Sequence, residues 1–165
     1  MHAHESTVSL RSTSMGMIRG ECTVEIAADA VAVFEIAADF ERAPAWQRAL
    51  REVDVHERDA SGRVLDASTT THSKVRDFHS RLRFKYDEPH AISWTQVSGD
   101  LKDIAGSWKI EAVEAGRSRA TYALRADPGM MLGMLLRGPA EQQVREYLVD
   151  RTAAGWLQVV LPTSP

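Results

Sequence analysis

Apolar and polar side chains alternate with a period of two through most of this chain, the signature of half-buried strands. The clearest run is Phe78 to Tyr86. Phe78, Ser80, Leu82, Phe84 and Tyr86 fall on one side, and His79, Arg81, Arg83 and Lys85 on the other. Similar runs span Met17 to Ala27, Arg51 to Arg58, Arg63 to Thr71, Ala91 to Val97, Ile104 to Val113 and Arg119 to Ala126. In the sixth of these seven runs, Gly106, Trp108 and Ile110 share a face. Either setting of Arg63 to Thr71 satisfies the pattern, and one of them turns Asp66, Ser68 and Thr70 inward. Turn-rich clusters separate the runs, as at Asp59-Ala60-Ser61-Gly62, Glu88-Pro89-His90 and Ser98-Gly99-Asp100. Seven strands at such short spacing predict hairpin-linked antiparallel pairing.

The period changes twice. After the first strand, Asp29 is a suitable N-cap for a short helix carrying Val31, Phe34, Ile36 and Ala38. A second short helix, Glu41 to Leu50, is interrupted by Pro44. Near the end, Pro139 opens a long helix over Ala140 to Val160, with Val144, Leu148, Gly155 and Val159 on one stripe, and Pro162 stops it. Strands in a run with segregated helices mean α+β. We expect one domain over residues 17–161. Residues 1–16 have no apolar core, so they read as a disordered lead-in and not as a signal peptide.

Composition narrows the partners. The chain has 165 residues, 26% of them charged, with a net charge of −3, so no overall field draws it to nucleic acid. The stripe His79, Arg81, Arg83 and Lys85 reads as a solvated sheet face. Arginine makes up most of the basic residues, which reads as GC-rich, bacterial codon usage. Cys22 is the single cysteine, which rules out an intramolecular disulfide and fits a cytoplasmic protein. No apolar run approaches the ~20 residues of a transmembrane helix.

Strand alternation gathers Phe84, Tyr86, Ile92, Trp94, Gln96, Trp108, Ile110, Tyr122 and Leu124 on the inner face of the sheet. Each ring alone would serve as core. As a set, with few polar groups among them, they describe an apolar pocket. Gln96 needs a partner there, either a ligand or a protein group such as Tyr122. Met130 and Met134, in the greasy run Met130 to Leu136, are placed at the pocket mouth. His72 and His79 could meet across a hairpin but lack a third metal ligand, so no metal is expected. No dinucleotide fingerprint, Walker motif or nucleophile elbow is present, and no cofactor is expected.

The order of these parts resembles the START-like (SRPBCC) superfamily, in particular its polyketide cyclase/dehydrase and lipid-transport group. The matching residues are Val24-Glu25-Ile26, Asp29 with Val33-Phe34, Asp39-Phe40-Glu41 with Pro44 and Trp46, Ile92 with Trp94, Gly106 with Trp108, Thr121-Tyr122 with Leu124, and Pro128-Gly129. Ala43 stands before Pro44 where a Tyr is more usual. The resemblance implies a helix-grip fold, in which a curved seven-stranded antiparallel sheet grips a long C-terminal helix around a deep cavity. Trp46 would contribute to that cavity from the first loop. Members of such families bind lipids, polyketides, hormones or quinone-like molecules, and some cyclise or dehydrate them.

The expected function is therefore to hold a lipid, isoprenoid or polyketide-like molecule as a carrier or sensor. One alternative is a polyketide cyclase, aromatase or dehydratase, in which Tyr86 and Tyr122 are the nameable proton-handling groups. Another is a module that docks on a protein or on a membrane surface through the Met-rich segment.

Overall fold

The computed structural model describes residues 17–73 and 76–129. They form seven strands, one α-helix and one 3-10 helix, in the order β1 (Ile18–Ile26), α1 (Ala30–Ala38), the 3-10 helix (Phe40–Ala45), β2 (Leu50–Arg58), β3 (Val64–His72), β4 (Asp77–Asp87), β5 (Ala91–Gly99), β6 (Asp103–Glu114) and β7 (Arg117–Asp127). All strands join one antiparallel sheet in the order β1-β7-β6-β5-β4-β3-β2. From β2 onward every neighbour in sequence is a neighbour in space, which is what short turns permit. The first strand closes the other edge by pairing with the last. The expected long C-terminal helix, and Met130 and Met134 with it, lie outside the described residues.

Because β1 and β2 sit at opposite edges, the segment between them crosses the sheet. Helix α1 packs on β5, β6 and β7, and the 3-10 helix reaches β2. The helix buries Val33, Phe34, Ala37 and Ala38. Those positions lie three or four apart on one stripe, whereas Val31 is 58% exposed. The sequence reading had Val31 on the buried face; the helical spacing of the other four puts it outside. Pro44 does not break a longer helix here. It sits inside the 3-10 helix, in which the chain turns tightly before β2.

Asp29 has extended backbone geometry at the N-cap, but its carboxylate makes no cap bond. It accepts instead from the backbone N–H of Gly116, at 2.7 Å, across 87 residues. The orphan donor it satisfies belongs to the β6–β7 turn, where Gly116 has a positive φ of 75°. Arg63 supplies a second brace. Its guanidinium contacts Glu35 of α1 at 2.7 Å, meets Glu88 of the β4–β5 turn, and lies 5.5 Å from the Phe34 ring centroid. These two ties fix the helix over the sheet and so fix the roof of the space below it.

Candidate ligand-binding site

The inner face is built by register. Trp94 stands opposite both Phe84 on β4 and Gly106 on β6; Ile92 stands opposite Tyr86 and Trp108; Trp108 stands opposite Tyr122 on β7. The rings therefore form a band across four strands. Phe84 and Trp94 have centroids 6.3 Å apart, Trp94 and Tyr122 6.0 Å, and Trp108 and Tyr122 4.9 Å. The 3-10 helix and the residue after it complete the band from above. Phe40 lies 4.5 Å from Phe84, and Trp46 meets Trp108 edge-on at 6.1 Å.

Gly106 makes this arrangement possible. A Cβ there would stand 2.3 Å from Trp94 Cζ2, inside the indole itself. The missing side chain is the slot in which the indole lies.

Between the sheet and its cover is a cavity of about 90 Å³, measured as room for the centre of a water-sized sphere. A single water needs only about 10–15 Å³ by that measure, so the space is several waters large and the rings do not simply fill it. Phe84, Tyr86, Trp94, Trp108, Tyr122 and Trp46 all line it. So do Phe78, which alternation places on the same side as Phe84, and Phe40, Gln47, Leu101, Thr69 and Thr71, which pattern alone did not single out. Phe40 and Gln47 flank the loop positions that were identified. Thr69 and Thr71 belong to the strand whose facing was open. The β3–β4 register pairs Thr69 with Ser80 and Thr71 with Phe78, which settles that strand. Asp66, Ser68 and Thr70 face outward, where Asp66 is held by Arg81 through contacts of 2.8 and 3.2 Å. The Arg81 guanidinium keeps the Asp66 carboxyl below its ordinary range.

Gln96 does not reach the cavity. Its Oε1 accepts from Ser80 Oγ at 3.2 Å and its Nε2 donates to the Leu101 carbonyl at 2.8 Å. Both ends of the amide are thus used within the protein, which is the cheaper way to bury it. Tyr86 donates its hydroxyl to the Val64 carbonyl at 2.7 Å, and burial pushes its pKa up to about 12. Burial raises the Tyr122 hydroxyl further, partly offset by the Gln47 side chain within hydrogen-bonding reach. At neutral pH both phenols are neutral donors and neither is a base. His72 and His79 each face a carboxylate, Asp77 at 2.6 Å and Asp100 at 3.1 Å. Among the described residues no three His, Cys, Asp or Glu side chains gather as a metal site would need.

The sequence model of the family described as polyketide cyclase / dehydrase and lipid transport matches residues 26–152. The chain belongs to this family. No curated protein matches it in sequence. Among solved structures, a START superfamily protein from Mycobacterium smegmatis superposes with a TM-score of 0.74 at 18% identity, over 87% of this chain and 96% of that one. A Thermus thermophilus protein gives 0.73 at 18% identity, over 90% and 99%. The Zhui aromatase/cyclase from a Streptomyces species gives 0.68 at 18% identity, over 88% and 92%. Identities this low establish the shared START-like fold and nothing finer. The ring-lined hollow of this polyketide cyclase / lipid-transport family member sits on the concave side of that fold. Among the described residues no helix is long and apolar enough to cross a membrane.

Proposed function

We propose that this protein holds an apolar small molecule of lipid, isoprenoid or polyketide type in the concave cavity, as a carrier or sensor. The observation that carries this reading is a hollow walled by contacting rings in which the polar groups of the described residues are neutral hydroxyls, indole N–H groups and one amide. Such a lining favours burial of apolar surface at roughly 25 cal/mol per Å². Residues 17–161 act in this reading as one domain, with 1–16 as a lead-in, in a reducing compartment that suits the buried thiol of Cys22. The test is native mass spectrometry of purified protein, followed by organic extraction and reloading with the extracted compound. A bound small molecule at one per chain is expected. A chain that neither carries a molecule nor takes one up is incompatible with the reading.

A second reading, cyclase or dehydratase, draws on Tyr122 and Gln47, two donors side by side that could polarise a ligand carbonyl. Cyclisation also needs a base. No histidine or carboxylate is among the described lining residues, and both phenols titrate too high to serve. Turnover of a poly-β-ketone analogue, lost in Tyr122→Phe with binding retained, would establish it. The third reading, docking through Met130 to Leu136, rests on residues outside those described.

A further inference from the structure

The outer face of the sheet carries a cluster of its own, on the side away from the concave cavity. On β3, Ser68 stands between Asp54 of β2 and Arg81 of β4 in the ladder. Its Oγ lies 2.6 Å from His56 Nε2. That is full hydrogen-bond distance, and in the tautomer protonated at Nδ1 the imidazole accepts the hydroxyl proton. A local irregularity brings the imidazole there. Between Val55 and Glu57 the β2–β3 register slips by one, so His56 is the extra residue of a bulge. Bulges bend the strand and re-aim a side chain.

Two further groups complete the cluster. Asp66, two residues along β3, is buried, accepts from Arg81 Nε and Nη2, and interacts by charge with His56. It thereby holds the Arg81 guanidinium beside Ser68, its ladder partner. Ser68 and Arg81 line one open hollow, together with Asp54, Thr70, His79 and Ser98. The third guanidinium nitrogen, Nη1, carries two more N–H donors.

From this cluster we infer that Ser68 is a nucleophile that takes an acyl group from an ester, with His56 as its base and Arg81 facing the developing oxyanion. The inference does not depend on what the concave cavity holds. Ser68 Oγ attacks the ester carbonyl carbon while its proton passes to His56 Nε2. The C–O bond to the leaving alcohol breaks, and the alcohol oxygen takes the proton from Nε2. Water then attacks the acyl-serine; its proton passes through Nε2 to Ser68 Oγ, and a carboxylic acid leaves. The hollow is open to water, which weakens its electrostatic help, so esters with good leaving groups are the expected substrates. Such a pair is recognised by geometry and not by sequence position.

The experiment mixes p-nitrophenyl acetate with the full chain, follows p-nitrophenolate release by stopped flow, and maps the acetyl group by mass spectrometry of acid-quenched protein. We expect a burst approaching one p-nitrophenolate per chain and an acetyl group on Ser68. Ser68→Ala and His56→Gln should each slow acylation roughly 100-fold or more. Arg81→Lys, which keeps a cation for Asp66 but loses the fork, should slow it about 10-fold or more. Each variant is checked for an unchanged melting curve and for unchanged binding of Nile red, a neutral apolar dye that probes the concave cavity. The wild-type mapping decides the nucleophile without any variant: a quenched protein with no acetyl on Ser68, or with acetyl spread over lysines, overturns the proposal. A rate unchanged in His56→Gln would overturn the base, and a rate unchanged in Arg81→Lys the oxyanion role.

Discussion

At the residue scale, Gly106 and Trp94 act as one unit. Replacing Gly106 by Ala puts a methyl where the indole lies, so the indole must leave its slot or the strands must part. Overpacking of this kind costs about 1–3 kcal/mol, and here it also disturbs the ring band. Thermal melting of Gly106→Ala should show that loss together with weaker Nile red binding. Ser118 predicts the opposite sign. Its hydroxyl is fully buried and has no hydrogen-bond partner among the described residues. Ser118→Ala removes an unmatched polar group and should leave stability equal or higher by about 1 kcal/mol in denaturant unfolding. A clear loss would reveal a partner for the hydroxyl.

Titration of single residues gives two further predictions. The folded-state pKa of Tyr86 lies above its unfolded value, at about 12. Its contribution is intact below pH ~10 and is lost as pH rises from there through about 12. Tyr122 shifts in the same direction. Alkaline unfolding should therefore steepen above pH ~10, and less so in Tyr122→Phe. Asp66 is shifted the other way, downward, chiefly by its bond to Arg81. Its contribution is present above pH ~4 and disappears as pH falls. The melting-temperature difference between wild type and Asp66→Asn should shrink on acidification, and a difference independent of pH would remove the carboxylate from the account.

At the element scale, the strands were legible because alternation with one wet face leaves a strong imprint. Phe78 to Lys85 alternates buried and exposed as the pattern required, and Tyr86 at the end is half-buried. The Thr-rich strand β3 was not legible in the same way. Threonine suits either face, and only its pairing with β4 turns Thr69 and Thr71 inward. Gln96 shows another limit. Alternation gave its side of the sheet correctly, but the partners that hold it, Ser80 and Leu101, come from a neighbouring strand and a turn. Asp29 has the right residue type for a cap, yet the donor it takes is 87 residues away. No local rule could have supplied that contact. Asp29→Ala should cost about 1 kcal/mol, and hydrogen exchange should quicken at the Gly116 turn before it quickens in β6. Exchange faster only within α1 would instead mean an ordinary cap role.

At the scale of the whole molecule, the sheet, its cover and the space between them follow from one sequence device. Large rings alternate inward on four neighbouring strands, one glycine makes room for the Trp94 indole, and the 3-10 helix with the residue after it returns two more rings from above. A core would close such a space; here about 90 Å³ stays open. Membership of the polyketide cyclase / dehydrase and lipid-transport family agrees with that design without naming a ligand. The account therefore stands or falls on whether molecules enter this space. The most direct measurement is an NMR titration of the labelled full chain with a neutral apolar ligand, following the indole N–H signals and backbone amides. The prediction is that the indoles of Trp46, Trp94 and Trp108 shift together and saturate at one ligand per chain, while outward positions such as Arg81 and Arg83 stay still. Shifts confined to the outer face, or none in a folded protein, would contradict it.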